Sequence, residues 1–293
     1  MNKPKVIVIL GQTATGKSDL AVKIAKKING EIISADSRQV YKGLDIGSGK
    51  ISKKEMLGVP HHLLGVINPK HKFTVSEYQK KTIYAIAEII KENKVPIICG
   101  GTGFYLDAVT QGIILPEVPP NTKLRKVLSK KTKGELFEML KKLDKKRASN
   151  IDKNNIVRLV RAIEIAKSLG GVPKITEVKP MYEFIKIGLY LPIPILEKKV
   201  KKRVKKMFAD GLFNEIKKLK KPTRCGGYGF SNKRLKEFGF EYFEPTPKKV
   251  ISETLKYAKR QMTWFKRDKE IKWFDASNFS LLSVLNHFHK YRN

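Results

Sequence analysis

The chain begins with a short apolar run, KVIVIL at residues 5–10, and passes directly into GQTATGKS, Gly11–Ser18. An apolar run of that length ahead of glycines predicts a buried parallel strand. From Ser18 to Ile28 the apolar positions fall at Leu20, Ala21, Ile24, Ala25 and Ile28, a helical spacing. EIISA (31–35) predicts a second strand ending at Asp36, and Val75–Lys91 a long amphipathic helix. VPIICGG (95–101) predicts a third strand, with a helix starting from Thr102. This β-α-β alternation predicts an α/β fold, a P-loop-type doubly wound parallel sheet with a helical insertion domain.

The pattern changes at LPEVPPN (115–121), where prolines stop any helix. From Thr122 to about Leu169 the chain reads as helical and basic, with no strand candidate. FIKIGLYLP (184–192) reads as a strand again. Basic helices follow over 195–220, then a glycine-rich turn at 224–229 and a last long helix at 251–268. The expected organisation is a catalytic core of 1–114 and 184–293, interrupted by a helical insertion at 115–183.

Composition sharpens this picture. The 293 residues carry 61 Lys plus Arg against 27 Asp plus Glu, a net charge of +34. Such an excess points to a polyanion partner, because each neutralised phosphate releases counterions. Lysine supplies most of it, so a lysine-rich surface of general origin is the bland alternative. Hydrophobic content is 41%, enough for a real core, and no apolar run reaches membrane-spanning length. Two cysteines, Cys99 and Cys225, without metal-ligand spacing, predict a reduced cytoplasmic protein. Nothing demands more than a monomer.

Gly11, Gln12, Thr13, Ala14, Thr15, Gly16, Lys17 and Ser18 fit the phosphate-binding pattern G-x-x-x-x-G-K-[ST]. Its glycines let several N–H groups converge on one phosphate, and the following helix adds its positive end. Lys17 supplies a point charge, and Ser18 a ligand for Mg²⁺. An NTPase of this type commonly has a strand ending in Asp for the metal. The third strand here ends IICGGTG, without an acid. The acid follows the second strand, at Asp36. A carboxylate there can act as a general base or a metal partner, or can simply cap the next helix. Thr102 is either a substrate-facing hydroxyl or a plain helix cap. Arg158, Arg161 and Glu164 share one stripe with Ile156, Leu159 and Ile163 opposite, which suits phosphate contact or a solvated face with an Arg–Glu pair. YAKRQMTWFKRD (257–268) interleaves Lys259, Arg260, Lys266 and Arg267 with aromatic residues, as for stacked bases, or as an ordinary amphipathic helix.

GQTATGKS, ISADSRQVYKGLDIGSGK, GVPHHLLGV, CGGTGFYLDAV, NNIVRLVRAIEI, KKRVKKMFADGLFNEI and YAKRQMTWFKRD occur in this order. Together they resemble the tRNA dimethylallyltransferases, also called tRNA isopentenyltransferases, from about Lys5 to Asp275. The resemblance implies transfer of a dimethylallyl group from its diphosphate to N6 of adenosine 37, beside the tRNA anticodon. The loop would then cradle the diphosphate of dimethylallyl diphosphate, with Lys17, Thr13, Ser18 and Mg²⁺ on it. Asp36 would be the base, and Arg203 would lie near the diphosphate. Asp36, Ser37, Arg38, Gln39, Thr102, Arg158, Arg161, Lys259, Arg260 and Gln261 would meet the anticodon stem-loop. This chain has Asp152, Lys153, Asn154 and Asn155 where the family's arginine helix usually begins HPND. The family's GY(K/R)E-like turn corresponds either to GGYGF (226–230) or to FGFEYFE (238–244). An isopentenyltransferase acting on free adenylates, a kinase and an RNA-binding ATPase share the loop but less of the rest.

Overall fold

The computed structural model describes residues 3–174 and 178–289. The chain divides into two compact units: residues 1–112 with 179–293, and Ile113–Val178. The expected insertion, 115–183, includes residues 175–177, which lie outside those described.

The first unit runs β1 (Lys5–Gly11), α1 (Lys17–Ile28), β2 (Gly30–Ala35), α2 (Lys53–Met56), β3 (His61–His62), α3 (Val75–Lys91), β4 (Val95–Gly100) and α4 (Gly103–Thr110). The second unit holds α5 (Thr122–Leu128), α6 (Lys133–Leu143), α7 (Lys145–Ser149) and α8 (Ile156–Leu169). The first then resumes with β5 (Glu183–Tyr190), α9 (Ile193–Ala209), α10 (Leu212–Lys220), a 3₁₀ turn at Thr223–Cys225, α11 (Asn232–Phe238), α12 (Pro247–Phe265), β6 (Lys272–Asp275) and α13 (Leu281–His289). The long helix expected at 251–268 starts and ends earlier, and β6 and α13 follow it. Among the described residues no helix is long and apolar enough to cross a membrane.

The six strands form one parallel sheet in the order β3-β2-β4-β1-β5-β6. Alternation along β1 explains why helices cover both faces. Ile7 and Ile9 join the core with Leu20, Ile24 and Val284, whereas Val6, Val8 and Leu10 join the one with Tyr78, Ile86, Leu106 and Phe265. Six consecutive burials in β1 remove both faces from water, at about 25 cal/mol per Å² of apolar area. Local chemistry sets the helix ends. Thr74 accepts from the Glu77 N–H while Glu77 accepts from the Thr74 N–H, a reciprocal cap that starts α3 at Val75.

In the second unit α5, α6, α7 and α8 enclose Leu128, Leu136, Leu140, Leu159 and Ile163. The stripe on α8 differs from expectation. Ile156 is exposed, and Glu164 is buried instead of lying on a solvated face. Glu164 takes two hydrogen bonds from Arg125, at 2.6 and 2.7 Å, and one from the Asn121 N–H. Arg161 reaches the same carboxylate at 3.4 Å, so its charge is partly spent within the unit. Arg158 remains exposed. Asn155 caps α8 by accepting from the Arg158 N–H, which supplies a start without the family's usual sequence.

Candidate active site

β1 and β4 are neighbours, and the connection that leaves β1 runs to β2 on one side while the one that leaves β4 runs to β5 on the other. In such a sheet the ligand crevice opens beyond the carboxyl ends of the strands at this point. Four of those ends supply the site: Gly11 at the end of β1, Asp36 after β2, Gly101 and Thr102 after β4, and Leu191 after β5.

The loop after β1 is tightly held from below. Gly11 has φ of +134°, and a Cβ there would lie 2.1 Å from the Leu189 carbonyl oxygen, so only glycine fits. Gln12 accepts the Leu191 N–H at 3.1 Å, and its own carbonyl takes the Thr15 hydroxyl at 2.8 Å. Ala14 and Gly16 turn the backbone at φ of +63° and +87°. Gly16 caps α1 with no side-chain hydrogen bond, leaving the first N–H groups of the helix for an anion. Lys17 donates its ammonium to the Gln12 carbonyl. Burial pulls that ammonium down to about 8, with Arg203 adding to the effect. Ser18 and Lys17 border the buried Cys99 thiol, which burial pushes up to about 12.

Arg203 enters from α9 and donates to the Ser48 carbonyl at 3.2 Å. Burial lowers its guanidinium below the ordinary value, against the field of Asp36 and Glu241. Asp36 accepts the Arg38 and Gln39 N–H groups through Oδ1, at 2.8 and 3.1 Å. The capping alternative is thereby corrected: the carboxylate closes a turn over residues 37–40, not a helix. Its Oδ2 makes no hydrogen bond among the described residues, and so can accept a proton. Thr102 starts α4 without capping it through its side chain. Its hydroxyl accepts the Ser37 N–H at 3.1 Å, joining the ends of β2 and β4.

Several expected RNA contacts are turned inward. Gln261 is buried; it accepts the Thr13 N–H at 2.8 Å and donates to the Gly101 carbonyl at 2.9 Å, so its amide braces the phosphate loop against the end of β4. Arg38 pairs with Glu241 at 2.5 Å, with Phe240 and Tyr257 rings 5.2 and 5.7 Å from its guanidinium. Gln39 donates to the Ser48 and Gly49 carbonyls. On α12, Phe265 lies in the core, and Trp264 donates to Asp107 at 2.9 Å while Arg267 stacks on its ring at 4.0 Å. Lys259 and Arg260 stay exposed. Arg158 and Arg161 belong to the other unit.

The two candidate turns pack in different places. FGFEYFE (238–244) packs on the Asp36 turn through Glu241, whereas GGYGF (226–230) stacks Tyr228 on Phe230 beside Gly43. Glu241, which no sequence pattern singled out, therefore lies beside Asp36, and Tyr257, one of the aromatic residues of YAKRQMTWFKRD, packs there on Arg38. Arg203 and Asp36 both act on the Lys17 ammonium, Asp36 also acts on Arg203, and Arg38 is already matched by Glu241. Cations thus gather at the loop beside the Asp36 carboxylate.

A family model described as IPP transferase matches residues 39–268, most of the chain. The chain belongs to that family. The tRNA dimethylallyltransferase of Halothermothrix orenii is 40% identical over 93% of this chain and 88% of its own. That of Carboxydothermus hydrogenoformans is 37% identical over 96% and 94%. Among solved structures, the tRNA isopentenylpyrophosphate transferase of Bacillus halodurans superposes with a TM-score of 0.68 at 32% identity, covering 98% of this chain and 96% of that one. A eukaryotic dimethylallyltransferase acting on tRNA gives a TM-score of 0.72 at 27% identity, covering 93% and 74%. The IPP transferase match takes in Gln39, Thr102, Arg203 and Gln261 and begins after the phosphate loop and Asp36.

Proposed function

We propose that the protein transfers the dimethylallyl group of dimethylallyl diphosphate to N6 of adenosine 37 in tRNA and releases diphosphate. The observation that carries this reading is the meeting of an uncapped, cationic phosphate loop with Asp36, whose Oδ2 is open. In the reaction the N6 lone pair attacks C1 of the isoprenoid. The C1–O bond breaks, and its electrons leave with the diphosphate. The N6 proton passes to Asp36 Oδ2. An exocyclic amine is a weak nucleophile because its lone pair is delocalised, so a positioned base matters. Lys17, Arg203 and the loop amides, Thr13 among them, stabilise the charge that grows on the leaving diphosphate.

Mg²⁺ fits this donor set. Among the described residues no three His, Cys, Asp or Glu side chains gather to hold a metal by themselves. The Ser18 hydroxyl at the start of α1, with diphosphate oxygens, offers the hard oxygen ligands this ion prefers. When bound it would neutralise part of the diphosphate charge.

For the RNA, exposed Lys259, Arg260 and Arg158 remain the candidate contacts to the anticodon stem-loop, with Ser37 and Thr102 at the crevice mouth. Free Cys99 and Cys225 suit a reducing cytoplasm. The joint substitution Lys259→Ala and Arg260→Ala should weaken tRNA binding and lower the salt slope by about 1–2. Filter binding across a salt series reads this, and an unchanged slope would remove that face of α12 from the RNA.

The test of the reaction is direct. The protein is incubated with dimethylallyl diphosphate, Mg²⁺ and unmodified tRNA whose anticodon loop carries A36-A37-A38. Mass spectrometry should find one dimethylallyl group on A37. Prenylation of free AMP, ADP or ATP without tRNA modification would instead establish an adenylate isopentenyltransferase.

A further inference from the structure

One carboxylate outside the crevice has an unusually full set of partners. Glu215, on α10, accepts the Asp45 N–H at 2.9 Å and the Ile46 N–H at 2.7 Å through Oε2. Through Oε1 it accepts the Gly47 N–H at 3.0 Å and the Tyr242 hydroxyl at 3.0 Å. Three successive backbone donors and a phenol thus converge on one side chain. Charged acceptors make the stronger hydrogen bonds, and four of them fix the segment they hold. Burial and the carboxylate itself keep the Tyr242 hydroxyl protonated, hence a donor.

The segment held is the one that positions Arg203. Immediately after Gly47, the Ser48 carbonyl accepts from Arg203 and from Gln39, and the Gly49 carbonyl accepts from Gln39 again. Gly49 has φ of +60°, and a Cβ there would lie 2.0 Å from Arg203 Nη2, so the guanidinium rests directly on this turn. Gly47 is equally close-fitted, with its Cβ position 2.6 Å from the Tyr242 ring. Glu215 therefore sets where residues 45–49 sit, and that turn sets where Arg203 points.

We propose that Glu215 is a positioning residue for diphosphate binding, acting through the 45–49 turn on Arg203. This rests on the reading above that Arg203 meets the diphosphate. Glu215→Gln keeps the shape but replaces one acceptor oxygen with a donor facing other donors. The turn must shift, and Arg203 with it.

The test is a double-mutant cycle on KM for dimethylallyl diphosphate at saturating tRNA, using Glu215→Gln, Arg203→Ala and the pair. Glu215→Gln should raise KM roughly tenfold, the size of one misplaced charged hydrogen bond, with tRNA affinity unchanged. On the Arg203→Ala background it should have no further effect, because the group it acts through is gone. A full tenfold effect on that background overturns the proposal, as does a lower active fraction with unchanged KM. Arg203→Ala alone reports on the underlying reading: an unchanged KM there removes Arg203 from the diphosphate and takes this inference with it. If Glu215→Gln does not fold, Tyr242→Phe removes a single donor. It should raise KM by about threefold in the same non-additive way, and an additive effect overturns the proposal equally.

Discussion

Asp36→Asn should lower the single-turnover rate of prenyl transfer by about 10²–10⁴-fold while leaving tRNA affinity nearly unchanged, the loss expected when a positioned base is removed. Asparagine is the informative replacement. Its Oδ1 can still accept the Arg38 and Gln39 N–H groups, so the turn over 37–40 keeps its anchors. The atom that changes is Oδ2, which becomes an amide nitrogen and can no longer take a proton from N6. Asp36→Ala removes both roles together and cannot separate them. Rapid-quench measurement with radiolabelled dimethylallyl diphosphate gives the rate, and filter binding gives the affinity. A rate within a factor of ten of the native one would show that the proton leaves by another route.

Lys17→Met should lower kcat/KM for dimethylallyl diphosphate by roughly 10²–10³-fold, comparable to the loss of a pre-placed charge stabiliser. The ammonium is buried and tied to the Gln12 carbonyl, so it is held in place before any diphosphate arrives. Methionine copies the stem and deletes the charge. Lys17→Arg should rescue little, because a planar fork does not fit where a compact ammonium sits under the loop. The fold should survive the Met substitution. Burial works against this charge, so deleting it relieves the native state. A melting temperature at or above the native value, with the activity lost, is the expected pair of results. Full activity in Lys17→Met would remove the loop lysine from the reaction.

Fold and site were legible to different depths. β1, α1, β2, α3 and β4 were readable because each carries its own period and its own punctuation. α3 matches its expected bounds because Thr74 and Glu77 mark the start within the sequence itself. α2, β3 and β6 were not readable, since two to four residues carry no period. α13 and α11 are short, and packing decides them. Within the site, the phosphate loop is local chemistry and announces itself. Asp36 and Thr102 could be found because strand ends in a parallel sheet share one edge. The Arg38–Glu241 pair joins residues 203 apart, and the Glu215 contacts to residues 45–47 span about as far. Nothing in a lysine-rich helix distinguishes Glu215 from a solvated acid until the turn it holds is seen. Gln261 is a related case. Residue type marks an amide as polar, but only the fold shows that both of its ends are already taken.

The order of strands bears on how the chain is made. β1, which carries the phosphate loop, pairs with β4 on one side, and on the other with β5, Lys5 opposite Glu183. On the ribosome β4 is complete at Gly100, but residues 113–178 must be synthesised before β5 begins. At about 5–20 residues per second, β1 waits roughly 5–20 s with one edge unpaired. An open apolar edge is a template for association with other chains. The helical unit inserted between β4 and β5 thus lengthens the interval in which the nascent protein is most exposed to aggregation, and the strand left waiting is the one that leads into the phosphate loop.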